Sequence, residues 1–178
     1  MGRRLNENVN IRFFADYTDL GFDVSGPLTA QLLNDDPEAV FSGPTISGGV
    51  PINPGPNVIR DRPRRDTEQV LVGSRATAAY GANIVDLAFG YTRTDDSFRF
   101  PISASVRETE GDDVTGVLRY AYRPDEANIL SFFEATAQYV RGSADRDYYL
   151  NLSGMKGAPF GSNTLDAETL SFSAGFHI

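Results

Sequence analysis

Residues 70–91 read VLVGSRATAAYGANIVDLAFGY, two period-two runs meeting across a few turn residues. Before the turn, Val70, Val72, Ala76, Ala78 and Tyr80 oppose Gly73, Arg75 and Thr77. After it, Val85, Leu87, Phe89 and Tyr91 oppose Asp86, Ala88, Gly90 and Thr92. Successive side chains of a strand point to opposite faces, so each run has one apolar and one polar side. Gly81, Ala82 and Asn83 leave space for a tight turn only, and so short a connection joins neighbouring antiparallel strands. The stretch predicts a β-hairpin.

Four further segments alternate in the same way. Val9, Ile11, Phe13, Ala15 and Tyr17 oppose Asn10, Arg12, Asp16 and Thr18, with Phe14 breaking the pattern. Val114, Leu118, Tyr120 and Tyr122 oppose Thr115, Arg119 and Arg123. Phe133, Ala135, Ala137 and Tyr139 oppose Glu134, Thr136 and Gln138. Leu170, Phe172, Ala174, Phe176 and Ile178 oppose Ser171, Ser173 and His177. The expected fold is all-β, an antiparallel meander of about six strands.

Alternation alone also suits a soluble β-sandwich with its apolar side inward. The connections separate the two architectures. Long segments are expected at Asp19–Arg65, Thr94–Asp112 and Gly142–Asn163, and short turns at Gly81–Asn83 and Pro124–Glu126. Long and short alternate strictly, as the external loops and periplasmic turns of an outer-membrane barrel do. Aromatics agree with this. Tyr17, Tyr91 and Tyr139 are expected at one end of the strands, and Tyr80, Tyr122 and Phe176 at the other. Such rings bury their bodies in acyl chains and keep a hydroxyl among headgroups. The sequence therefore predicts a partial transmembrane β-barrel in a bacterial outer membrane, with residues 1–178 as one barrel domain and 19–65 as a long extracellular loop within it.

Composition narrows the rest. The 178 residues are 40% hydrophobic, carry a formal net charge of −8 and contain no cysteine or tryptophan. Disulfide scaffolds and thiolate zinc sites are excluded. The acidic balance argues against nucleic acid as a partner. No run approaches the roughly 18 apolar residues of a membrane helix. The start, MGRRLNENVNIRFF, has basic residues but no apolar h-region, so either the chain is not exported or its leader lies upstream.

Site signals are sparse. The first long segment contains SGPTISGGVPINPGPN, expected to be irregular or mobile. It ends in Arg60, Arg62, Arg64 and Arg65, interleaved with Asp61 and Asp66. These four arginines are the candidate ligand-binding residues, suited to an anion or a lipopolysaccharide phosphate; the plainer reading is a solvated, self-paired loop. Glu108, Glu110, Asp112 and Asp113 lack the spacing of a calcium loop, and no metal or cofactor is expected. His177, the sole histidine, reads as a polar-face residue. No G-x-S-x-G, P-loop or G-x-G-x-x-G is present, and no enzyme is expected.

Two stretches carry a family resemblance. YTDLGFDVSGPLTAQLLNDDPEA, followed after a gap by RRDTEQVLVGSRATAAYG, resembles the mid-barrel of siderophore-type TonB-dependent receptors. Asp19–Phe22 stands for the aspartate–aromatic segment, Gly26–Thr29 for the Pro-Gly-x-Leu-Thr turn in altered order, and Asp36–Pro37 for the acidic–Pro stretch. SFRFPISASVRETEGDDVTGVLRYAY and SFFEATAQYVRGSADRDYYLNLSG are similar to the next two hairpins, including a D-R-x-Y-x-N loop at Asp145–Asn151. The resemblance implies a fragment of a barrel of about 22 strands around a plug. It implies import of an iron–siderophore or similar metal chelate, driven through TonB by parts outside this sequence. A fragment without a plug is expected neither to transport nor to bind a chelate tightly alone, since its polar faces show no convergent arginines within one strand. The alternatives are a small stand-alone outer-membrane barrel acting as adhesin or structural protein, an outer-membrane enzyme, and a soluble β-sandwich binding module.

Overall fold

The computed structural model of the protein describes residues 2–26, 28–43, 45–52, 57–100, 105–124 and 132–177. Its elements in chain order are β1 (Gly2–Arg4), β2 (Val9–Asp23), α1 (Ala30–Asp35), β3 (Thr45–Ser47), β4 (Val50–Ile52), α2 (Val58–Asp61), β5 (Arg64–Tyr80), β6 (Asn83–Arg99), β7 (Ser105–Tyr122), β8 (Phe132–Leu152) and β9 (Met155–His177). Seven strands form one antiparallel meander in the order β1-β2-β5-β6-β7-β8-β9, and the sheet is not closed. The expected all-β meander is thus observed, with one more strand than expected because Gly2–Arg4 pairs with Asn10–Arg12.

Two expected loops are largely strand, and the third is shorter than expected. β2 runs on to Asp23 and pairs with a β5 that begins at Arg64, so the long connection is residues 24–63. Most of Thr94–Asp112 pairs across β6 and β7, up to Arg99↔Val106. Gly142–Asn163 is the far half of the β8–β9 hairpin, turning at Ser153–Gly154. The cause is chemical. Beyond the apolar stretches the face that carried them turns to charged residues such as Asp19, Asp95, Glu110 and Asp145, while the other face mixes polar residues with apolar ones such as Leu20 and Phe98, so the period-two pattern vanishes although the backbone ladder continues. Tyr17, Tyr91 and Tyr139 accordingly lie within strands, at the end of the apolar stretch rather than the end of the element. Of the expected turn Pro124–Glu126, Asp125 and Glu126 fall outside the described residues, as do Pro27 and the side chain of His177.

The long connection is partly ordered by local caps. Thr29 accepts a hydrogen bond from the Leu32 amide and caps α1; Asn57 does the same for α2 through Arg60. β3 and β4 form a two-stranded ribbon. The connection's end is fastened to the far hairpin. Asn151 Nδ2 donates to the Asp61 carbonyl at 2.7 Å, and Pro63 is fully buried.

Register sorts the sheet's side chains. On one face Ile11, Ala76, Leu87, Leu118, Ala137 and Phe172 form a continuous cross-strand row. Phe13, Leu87, Phe89, Leu118 and Phe172 are all exposed there, Phe172 to 75%. The opposite face is polar and more enclosed, with Asp86 and Asp96 both buried. Phe14, the exception to alternation, lies on this polar face opposite Gly73. A Cβ on Gly73 would overlap the Phe14 ring and come 2.7 Å from the Phe89 carbonyl oxygen. The ring thus covers the glycine, a known way to protect a Gly position in a sheet.

Gly73→Ala should therefore destabilise the sheet by about 1–3 kcal/mol, because the backbone carbonyl cannot yield as the ring can. Gly90→Ala, where an added Cβ meets nothing within 4 Å, should cost far less. Urea unfolding of the two variants measures the difference.

Candidate functional site: arginine–carboxylate ladders on the polar face

The polar face carries two charge networks, each built across strands. Near the tight turns, Arg75 Nη2 lies 3.0 Å from Asp86, Asp86 lies 3.2 Å from Arg119 Nη1, and Arg119 grips Glu134 with two hydrogen bonds of 2.6 and 2.7 Å. Thr77 donates a further hydrogen bond to Asp86. One ladder thus crosses β5, β6, β7 and β8. Alternation aims each of these side chains to the same face, and antiparallel register sets Thr77, Asp86 and Arg119 side by side.

The second network lies toward the far hairpins. Asp96 accepts hydrogen bonds from Arg65 Nε at 2.7 Å, Thr67 Oγ1 at 2.7 Å and Arg107 Nη2 at 3.2 Å. The Arg107 guanidinium lies 5.8 Å from the Phe98 ring centre and 5.5 Å from that of Phe100. Burial pushes the Asp96 carboxyl up, but the Arg65 and Thr67 hydrogen bonds, the Arg65 charge and the Arg107 hydrogen bond outweigh it, and it sits below its ordinary value.

The four sequence-selected arginines do not converge. Arg60 pairs with neighbouring Asp61 at 2.6 Å. Arg62 takes a left-handed backbone, φ 46°, and its side chain lies against Gly154. Arg64 pairs with Asp66 at 2.8 Å and with Asp23 at 3.4 Å on the apolar side of the sheet. Arg65, next in the same strand, points the other way and joins Asp96. The self-paired reading describes Arg60 and Arg64, while Arg65 alone enters a polar-face network. Arg75, Asp86, Arg107, Arg119 and Glu134 have partners on other strands, so only a correct register reveals their assembly.

Carboxylates dominate the other face beyond the apolar rows. Asp19, Glu68, Asp95, Glu110 and Asp145 form one cross-strand row. Arg93 approaches Asp95 at 3.4 Å and Glu110 at 3.5 Å. Of the acidic run, Glu108, Glu110 and Asp112 share this face and Asp113 faces away. No group of His, Cys, Asp or Glu among the described residues is placed to hold a metal ion. No helix among them is long and apolar enough to cross a membrane, which does not bear on crossing by strands.

The chain matches no known family model, no curated protein and no solved structure.

A carboxyl depressed in the folded state stabilises the fold above its ordinary value, 3.8 for Asp96, and loses that contribution as pH falls through the folded value. Asp96→Asn should cost about 2 kcal/mol at pH 7, the scale of hydrogen bonds to a charged group. The gap between wild type and variant should close as pH drops below 3.8. Unfolding midpoints at neutral pH and on acidification test this.

Proposed function

We propose that this chain is a section of an outer-membrane β-barrel, its apolar face toward lipid and its polar face toward a wet lumen. The carrying observation is the shape of the apolar region. Its far boundary on the exposed face is Tyr17 in β2, Val70 in β5, Tyr91 in β6, Val114 in β7, Tyr139 in β8 and Leu170 in β9. Register pairs Tyr17 with Val70, but pairs Val70 with Arg93, two residues beyond Tyr91. It pairs Tyr91 with Val114, but Val114 with Arg141, two residues beyond Tyr139. The boundary therefore slips by four residues over five strand-to-strand steps.

At a rise of ~3.3 Å per residue and ~4.8 Å between strands, that slip corresponds to a tilt of roughly 30°. Strands of membrane barrels tilt by about 35–45°. The near boundary slips in the same sense. Val9 ends the apolar run of β2 opposite Ala78, whereas Tyr80 in β5 and Phe176 in β9 lie one row closer to the turns. The result is a slanted band that narrows from Val9–Tyr17 in β2 to Leu170–Phe176 in β9 among the described residues. From Val9 to Tyr17 it covers about nine residues, or ~25 Å of height at that tilt, the height of the apolar belt of a membrane barrel.

Surface area points the same way. A compact folded chain of 19.4 kDa exposes about 8,500 Å², and this one exposes 12205 Å². The buried hydrophobics among the described residues are Phe41, Val106 and Ala121. A soluble sandwich needs a second sheet over the apolar face. The other sheet among the described residues is the β3–β4 ribbon of three-residue strands. Two residues past the band's far boundary each of its strands carries a charge on the same face, Asp19, Glu68, Arg93, Asp112, Arg141 and Glu168, which resists entry into hydrocarbon and fixes the depth of insertion. In this reading the unpaired edges of the sheet meet further strands, because backbone groups left open in lipid cost several kcal/mol each.

The finer reading rests on the sequence resemblance. We place the barrel in a TonB-dependent receptor that imports an iron–siderophore or similar chelate, with the plug and the TonB contact supplied outside this sequence.

The chain lacks tryptophan, so single probes are clean. Leu118→Trp in refolded protein should be quenched strongly by lipids brominated on their acyl chains, and Glu110→Trp weakly. Leu118→Arg should cost about 2–4 kcal/mol of inserted stability. Absence of quenching at position 118 in lipid-associated protein would overturn the membrane assignment.

A further inference from the structure

We infer that the polar face binds an oxyanion-bearing solute, carboxylate or phosphate, at a site formed by Arg107, Thr109 and Arg146 with Arg65 beside them. The site deepens the proposed reading by naming the solute class such a lumen would take. It needs that face to be wet, but does not need lipid on the other.

Placement comes first. Arg65, Phe98, Arg107 and Tyr148 are consecutive cross-strand partners, and Thr109 faces Arg146 directly in the next row. Three arginines from β5, β7 and β8 therefore share one patch. Asp96 is the carboxylate within it, and it already accepts from Arg65 and Arg107. Asp113, on the same face of β7, lies against Gly142, two rows from Arg146. The patch keeps a surplus of positive charge within a chain of net charge −8.

Hydrogen bonding comes second. Among the described residues, the buried side-chain polar atoms without a partner are Arg107 Nε, Thr109 Oγ1 and Arg146 Nε. They are neighbours in the sheet. Arg107 and Thr109 lie two apart on β7, and Arg146 opposes Thr109. Folding does not ordinarily leave three adjacent donors of this kind unmet, because each costs about 1–3 kcal/mol. Two guanidinium N–H groups and a hydroxyl match the acceptor oxygens of a carboxylate or phosphate, and guanidinium forks favour planar oxyanions. The Phe98 and Phe100 rings, 5.8 and 5.5 Å from the Arg107 guanidinium, limit how far it can turn away. The affinity expected of this open patch is modest, since a tight small-molecule site encloses most of its ligand.

The experiment is an NMR titration of the full chain in neutral detergent. It follows the Nε–H resonances of Arg107 and Arg146 as inorganic phosphate, then citrate, is added against chloride at matched ionic strength. Saturable shifts at both residues are expected with phosphate and citrate and not with chloride. Arg146→Gln should weaken binding about tenfold, as should Arg146→Lys, which keeps the charge but loses the fork. Arg141→Gln, on the opposite face, should leave it unchanged. Equal response to chloride, or unchanged binding in both Arg146 variants, would overturn the site. Because detergent stands in for lipid, the anion result is independent of the quenching result: a chain that fails to insert can still bind, and an inserted chain can fail to bind.

Discussion

Register between neighbouring strands governs every other feature of this protein. The side-chain period of a strand is two, so a slip of one residue would send each apolar row to the polar side and break both charge ladders. Several devices hold the register. The β5–β6 turn at Gly81–Ala82 fixes one hairpin, with Gly81 in a left-handed conformation at φ 55°. The chain Arg75–Asp86–Arg119–Glu134 then ties four strands along one diagonal. Phe14 seated over Gly73 locks β2 to β5 from the polar side. Each contact is individually modest, but all fail together under the same slip.

The arrangement inverts the usual logic of a soluble domain. Large apolar side chains lie on the open face, while buried groups of the sheet include Asp86 and Asp96. A buried carboxylate is tolerable only when paired and hydrogen-bonded. Asp86 meets Arg75, Arg119 and Thr77, and Asp96 meets Arg65, Arg107 and Thr67. The repeated motif of one aspartate, two arginines and one threonine, once at each end of the sheet, makes the polar face a stiff, hydrogen-bonded surface. The hydrophobic effect then acts on the other face, where a non-aqueous surrounding is the natural complement.

The strands were legible in sequence where one face is apolar and the other polar. Val85–Tyr91 and Leu170–Phe176 are such runs. Legibility ended where both faces turn polar, as at Asp95–Ser97 and Asp145–Asp147. There the ladder of backbone hydrogen bonds persists without a hydrophobic signature, and nothing in the sequence separates strand from loop. Phe14 breaks the alternation, but its partner Gly73 lies 59 positions away and only register connects them. The site was less legible for a related reason. Arg60–Arg65 draws the eye as a cluster in sequence, yet adjacent strand residues such as Arg64 and Arg65 diverge to opposite faces. The arginines that do assemble, Arg65, Arg107 and Arg146, come from three strands, and no linear pattern marks them.

We propose the slanted apolar band as a lipid-facing belt. Spin-label scans along β2 and β9 in bilayers test it most directly, comparing collisions with oxygen, enriched in hydrocarbon, and with a water-soluble nickel chelate. A lipid-facing belt gives period-two oxygen accessibility that stops after Tyr17 in β2 and at Leu170 in β9, so that the belt's edge falls on different register rows in the two strands. Apolar positions shielded from both probes, or edges falling on the same row, would contradict it.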